Sequence, residues 1–300
     1  MAEPEDIILN TTRLLAEPLD AELRMMPCGS GQFPSVEKLE SAVNIAQKII
    51  FPDFFDKSRK STDLRSYFIG INVENLFSLL CSEIANALQF REICRHDIAE
   101  AKATEMTSAF ISRLPDIKQL VYSDVEAIYQ NDPAVDDYGE IVLCYPSIRA
   151  MLNYRIAHAL LTLGVPVIPR MLTELAHSKT GIDINPGATI GSHFAIDHGT
   201  GVVIGETCII GNHCTVYQGV TLGAKNFTIG SEGRPVNVPR HPVLEDNVTV
   251  YSNATILGRI TVGHDSVIGG NVWLTSSVPP RSRILQPKAL TASVAIAAGN

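Results

Sequence analysis

The chain of 300 residues carries no basic run, and its formal net charge is −8. Nucleic acid is therefore not an expected partner, since phosphate binding needs a basic patch or stripe. No stretch reads as the roughly 20 apolar residues that span a bilayer. The opening MAEPEDIILNTTRLL is acidic and lacks the basic start of a secretory signal, so a cytoplasmic location is expected. Six cysteines (Cys28, Cys81, Cys94, Cys144, Cys208 and Cys214) form no CxxC or other tight metal-binding spacing. GxSxG, Walker and dinucleotide motifs are absent, and so is low-complexity sequence. The 45% hydrophobic content is enough for one or two globular domains.

What the chain does have is a period. From residue 184 to 279 an aliphatic residue recurs every six positions. The series runs Ile184, Ile190, Ile196, slips by two, and resumes at Ile204, Ile210, Val216 and Leu222. After a longer interruption it continues through Leu244, Val250, Ile256, Val262, Ile268 and Leu274. Six is neither the helical 3.6 nor the strand 2, and it predicts a coil of short parallel strands, each side using one hexad. The residue four further on, for example Ala188, Thr200, Cys208, Cys214, Val220 or Ala254, is expected to fill the remaining interior. Cys208 and Cys214 are thus read as buried thiols. Val202, Val203, Ile209 and Tyr217 are placed outside the core, where they need cover, and a symmetric trimer is expected to provide it.

A packed coil leaves its interior dry, so chemistry must lie on a face, an edge or a loop. The interruption AKNFTIGSEGRPVNVP, Ala224 to about Pro239, breaks the hexads and leads into Arg240-His241-Pro242. Long loops on a regular scaffold are usually functional or disordered. The first 180 residues read as helical, with segments at 73–88, 99–114 (stopped by Pro115), 123–129, 146–163 and 169–178. Residues 1–35 are expected to hold one more helix, and 49–61 to be irregular. The expected domains are 1–181 (helical), 182–285 (coil) and 286–300 (tail).

Four polar clusters fall in or near the repeat: Asp183, Asp197-His198-Gly199, Arg240-His241 and, in the helical part, Asp132. Asp183 and His198 are fifteen residues apart, which puts them on neighbouring rungs and nearly the same side. A carboxylate one rung from an imidazole can orient it and stabilise its protonated form. His193, His213 and His264 read as solvated turn residues, and His158 reads as packing.

Several segments resemble the serine acetyltransferase family. They are Asp183-Ile184-Asn185-Pro186-Gly187-Ala188, Ile196-Asp197-His198-Gly199-Thr200-Gly201, Val203-Ile204-Gly205-Glu206-Thr207, Gln218-Gly219-Val220-Thr221-Leu222-Gly223 and Arg240-His241-Pro242. Upstream, Asn131-Asp132-Pro133-Ala134-Val135-Asp136 and Tyr154-Arg155-Ile156-Ala157-His158 match that family's helical domain. The resemblance implies an α+β protein: an N-terminal α-helical domain, then a left-handed parallel β-helix of hexapeptide repeats with one long protruding loop. It implies acetyl transfer from acetyl-CoA to the hydroxyl of L-serine, giving O-acetylserine for cysteine biosynthesis, with no metal. His198 would be the general base and Asp183 its partner. Asp132 and Asp197 would hold the substrate ammonium, and Arg240, with His241 beside it, the carboxylate. Ser252, Asn253 and Gly270 would meet acetyl-CoA, with Gly223 and Ala224 in the same cleft between coils of a homotrimer or a dimer of trimers.

This chain also departs from the family pattern. Ala224 and Lys225 stand where a second Gly and a Thr are usual, and the loop to Arg240 is longer. The end Ala297-Ala298-Gly299-Asn300 lacks the Ile with which docking members bind cysteine synthase, so docking by that mode is not expected. Inhibition by cysteine at the serine site is compatible with the residues. Three other readings use the same residues: acetyl transfer to homoserine or another small acceptor, a trimeric zinc carbonic anhydrase built on His193, His198 and His213, and a non-catalytic scaffold.

Overall fold

The computed structural model describes residues 3–25, 32–55, 62–91 and 96–287. Cys28, Cys94 and positions 288–300, including Ala297 to Asn300, lie outside them.

The helices are α1 Pro4–Ala16, α2 Asp20–Met25, α3 Val36–Ile50, α4 Pro52–Phe55, α5 Thr62–Arg91, α6 His96–Ser112, α7 Leu114–Asn131, α8 Tyr138–Cys144, α9 Pro146–Thr162 and α10 Ile168–Thr180. Several differ from the sequence expectation. The described residues of 1–35 hold two helices where one is expected. The stretch expected to be irregular from residue 49 instead continues α3 and adds α4. Ser35 opens α3 by accepting the Lys38 N–H, and Leu39, Val43, Ala46 and Ile50 then face the core at helical spacing. The helix expected to stop at Pro115 ends at Ser112, and Pro115 also sits in the first turn of α7, where a missing N–H costs nothing; the segment expected at 123–129 is the end of that longer helix.

Leu64–Phe90, within α5, is by length and composition apolar enough to cross a membrane, contrary to the sequence expectation. In this fold its Leu76, Leu80, Ile84 and Ala87 pack into the helical core. Glu83 of the same helix is fully buried, paired with Lys38 at 2.9 Å.

The strands are β1 Asp183–Ile184, β2 Thr189–Ile190, β3 Ala195–Asp197, β4 Val203–Ile204, β5 Ile209–Ile210, β6 Thr215–Tyr217, β7 Thr221–Gly223, β8 Val243–Leu244, β9 Thr249–Val250, β10 Thr255–Leu257, β11 Thr261–Val262, β12 Val267–Ile268, β13 Trp273–Leu274 and β14 Arg283–Ile284. They form three parallel sheets, ordered β1-β4-β7-β10-β13, β11-β8-β5-β2 and β14-β12-β9-β6-β3. From β1 to β13 every third strand pairs with the one above it, so each rung contributes one strand to each face of a left-handed parallel β-helix, and β14 closes the last sheet on β12. Partners are a rung apart, as in Val203↔Thr221 and Val243↔Thr261. The long loop widens one rung, where Thr221 pairs with Thr255. Within that loop Ile229 and Pro235 form an antiparallel bridge.

All thirteen aliphatic positions of the period are buried. Two corner assignments are corrected. Thr200 is exposed, and Val202, expected outside, is fully buried. The two-residue slip explains both: corner residues are set by the strand they precede, and Val202 stands two before Ile204. The helical region caps the coil through α9, whose Ala150, Met151 and Tyr154 belong to the coil core while Ile148, Leu152 and Leu160 belong to the helical core. Arg155 ties the two together. It donates to both oxygens of buried Asp124 and to the carbonyls of Ile190 and Gly191.

Candidate active site

At the corner after β3 the chain must turn outward within a few residues. His198 takes φ 55 and Gly199 φ 88. Gly199 has no alternative, because an added Cβ would lie 2.5 Å from Cδ1 of Ile182. Gly201 donates to the Gly181 carbonyl at 2.8 Å and stacks this corner on the start of β1. Asp183 lies in β1, one rung below Val203 of the strand that follows the His198 corner. The side chains of Asp183 and His198 are not joined. The carboxylate paired with His198 is Asp197, with Oδ1 3.7 Å from Nδ1. The Asp183 carboxylate instead lies with Glu174 and His177, ligand atoms within 4.8 Å of one another. His193 and His213 also hold positive φ, so that conformation alone does not single out His198.

The helical region covers this corner. Asp132, Ala134, Tyr145, Ser147, Asp197, His198 and Thr200 line a cleft of about 550 Å³. Asp132 is the C-cap of α7, at the negative end of an 18-residue helix. Tyr145 Oη donates to its Oδ2 at 2.6 Å, and the Ala134 N–H donates to Oδ1 at 2.9 Å. These two bonds, that of Tyr145 first, hold the Asp132 carboxyl below the usual range, helped by the nearby His198. The same Asp132 bond pushes the Tyr145 phenol upward. Asp132 and Asp197 thus give the cleft two acceptors suited to a cation, next to an imidazole that is largely exposed.

Arg240 and His241 lie at the next corner, beyond β4. The Arg240 fork is occupied by Glu206 (2.6 Å) and Asn237 Oδ1 (2.8 Å). Burial works against the Glu206 charge, but Arg240 and Asn237 outweigh it and lower its pKa. His241 is buried against Gly205, where a Cβ would come within 2.0 Å of its ring. Its Nδ1 accepts the Thr207 N–H at 3.1 Å. Burial first, then Arg240, moves its pKa down, which favours a neutral ring. Gly223 and Ala224 flank the same side of the coil at the end of β7, with the Gly223 carbonyl accepting from Gly258 at 3.0 Å.

Ser252, Asn253 and Gly270 stack directly above the His198 corner. Gly219 donates to Thr200, Asn253 to Gln218, and Asn271 to Ser252, each at 2.9 Å. They form one edge of small residues and exposed backbone, a surface a long thin ligand can follow. The histidines of the zinc alternative are not gathered within a protomer. His193 and His213 stack on each other with centroids 4.3 Å apart at the corner before β3, and His198 follows β3.

Tyr145 and Ser147 lie outside the segments singled out in the sequence, while Glu206 and Thr207 lie inside Val203-Ile204-Gly205-Glu206-Thr207 without an assigned role. Tyr145 reaches Asp132 only through the packing of α8 against α7.

No family model matches the chain. It is 46% identical over 260 residues to a plasmid-encoded serine acetyltransferase of Synechococcus elongatus, covering 84% of this chain and 82% of that protein. To a serine acetyltransferase of Bacillus subtilis it is 41% identical over 167 residues, covering 56% of this chain and 73% of the other. Its fold superposes on serine acetyltransferase 1 of Entamoeba histolytica, solved in complex with L-cysteine, with a TM-score of 0.71 and 37% identity, covering 85% of this chain and 87% of that one.

Proposed function

The chain belongs to the serine acetyltransferase family, and from that premise we propose that it transfers the acetyl group of acetyl-CoA to the hydroxyl of L-serine, with His198 as general base. The observation that carries this reading is the cleft in which an exposed imidazole stands beside Asp132 and Asp197. Two carboxylates suit the ammonium of an amino acid and give a neutral sugar nothing to pair with.

A hydroxyl is a weak nucleophile until a base begins to take its proton. His198 takes that proton as the serine oxygen attacks. The thioester supplies an acetyl group that is already activated, so no metal is needed. The protonated ring then returns the proton to the departing thiolate, and protons balance over the cycle. Asp183, in β1 one rung below Val203, is the partner assigned to His198. It fills that role only by turning from Glu174 and His177, while Asp197 is already at 3.7 Å. Ser252, Asn253 and Gly270 are assigned to acetyl-CoA, and backbone N–H groups near Gly223 and Ala224, on the Arg240 side of the coil, to oxyanion charge.

The substrate carboxylate is assigned to Arg240, with His241 beside it. In one protomer β4 runs between that pair and His198, so the two halves of the site stand at different edges of the coil. A homotrimer that sets the His198 edge of one coil against the Arg240 edge of the next joins them and covers half-exposed Val203 and Ile209. A cytoplasmic location fits an α5 that packs Leu76, Leu80 and Ile84 inward.

The test offers serine, homoserine, threonine and simple sugars side by side with acetyl-CoA, without added metal, and reads released thiol. Serine should be the best acceptor. A higher kcat/KM for homoserine or a sugar would overturn the acceptor assignment, and no thiol release with any of them would overturn the activity. Sedimentation should give a multiple of three protomers.

A further inference from the structure

The cleft holds a polar group that the reading above leaves unused, the Tyr145 phenol. Its place is fixed by the chain on both sides. Tyr145 ends α8 and begins α9, its N–H donates to the Ile141 carbonyl at 3.2 Å, and Pro146 restricts it to the extended conformation seen, φ −78 and ψ 120. Its ring packs at the border of the helical core. The hydroxyl therefore cannot wander, and its single proton is committed to Asp132.

A phenol that donates its one proton still has lone pairs to offer. An amino-acid ammonium has three N–H donors, and the corner provides two carboxylates, Asp132 and Asp197. We infer that Tyr145 Oη is the third acceptor of the acceptor amino acid's ammonium, and that its bond to Asp132 positions that carboxylate to receive the same group. Asp132 needs a donor for a physical reason of its own. A carboxylate capping the C-terminal end of a helix faces the negative end of the helix dipole, which disfavours its charge. Without a donor there, Asp132 would take up a proton more readily and lose its hold on a cation. Ser147, on the first turn of α9, adds a buried hydroxyl without a partner to the same wall.

This inference rests on the cleft being the amino-acid site. The test therefore compares Tyr145→Phe with Asp132→Asn and wild type, on L-serine and on 3-hydroxypropionate, which has the hydroxyl and carboxylate but no ammonium. Phe keeps the ring and its packing, and an unchanged KM for acetyl-CoA reports an intact fold. Tyr145→Phe should raise KM for serine roughly tenfold, the loss of one hydrogen bond to a charged group, with kcat within about twofold. The poor reaction with 3-hydroxypropionate should be unchanged, so the variant's preference for serine narrows. If Asp132→Asn raises KM for serine and Tyr145→Phe does not, the role of Tyr145 fails and the site stands. If Tyr145→Phe slows both substrates alike, the ring is merely structural and the inference fails. If neither variant affects serine, the ammonium site itself is misplaced and both readings fall.

Discussion

In the helical region charge goes inside, and in the coil it stays out. Glu83, Asp124 and Arg155 are all buried among the helices or at their junction with the coil, each held by a partner. The inward positions of the coil are Ile, Val, Leu, Ala and Cys with Phe194, and the polar side chains buried there, Thr215, His241 and Ser266, include no carboxylate, Lys or Arg. The reason is geometric. Helices of different length and angle meet unevenly, and a buried ion pair can fix which of several packings is used. A coil has one packing, repeated, and its backbone bonds run from rung to rung, so no specifying charge is needed. The difference teaches where chemistry can be placed. Coil edges expose ionisable groups on a rigid frame, and the helical region closes over one of those edges.

The comparison can be broken first at the junction. Arg155→Met leaves Asp124 buried and unpaired and should cost about 3–5 kcal/mol in denaturant unfolding. The double variant Arg155→Met/Asp124→Leu should recover much of that. If the single variant is as stable as wild type, the pair is not what joins helices to coil. Burial already raises the Asp124 pKa against the pull of Arg155, so the single variant should take up a proton there.

An edge residue should behave in the opposite way. His198→Ala should lower turnover by at least about a hundredfold and leave the melting temperature and the oligomer nearly unchanged, since the side chain is 71% exposed. Near-normal turnover would remove the base assignment. Inside the coil, equivalent positions should give equivalent results. Ile204→Val, Ile210→Val and Ile256→Val should each cost about 1 kcal/mol, with little spread, because each is an inward hexad position, Ile204 and Ile256 two rungs apart on one sheet and Ile210 on the next face. Unfolding curves that differ by several-fold among the three would show that the rungs are not equivalent.

The smallest expected effect concerns pH. His241 has a folded pKa below its ordinary 6.5. Its contribution to stability is full above 6.5 and is lost as pH falls from there through the folded pKa, because the unfolded chain binds the proton first. His241→Gln should flatten that part of the stability profile. An unchanged slope would mean that the ring titrates normally in the fold.

Much of this was legible without coordinates, and unevenly so. The hexads are a local rule: each strand is two or three residues, and a single list of aliphatic positions names the coil core. The corners were less legible. Thr200 and Val202 exchanged places because a two-residue slip shifts every corner after it. In the helical region the sequence leaves α3 and α8 unassigned, and it marks Pro115 as the end of α6 without showing that the same Pro opens α7, since a Pro fits a first turn as well as a stop. Of the site, His198, Asp197 and Asp132 were picked out by type and motif, and the fold brings them to one cleft. Tyr145 was invisible because its partner lies thirteen residues away across a turn.

The sequence by itself determined the coil, its dry interior, its interruption at 224–239 and the residue types available for acid–base work, because a six-residue period has one way of burying its aliphatic side chains. Only the tertiary structure decided which carboxylate sits nearest His198, that Arg240 is held by Glu206, and that Tyr145 braces Asp132. Those pairings depend on how rungs stack and how three helices settle over one edge, distances that no linear spacing encodes.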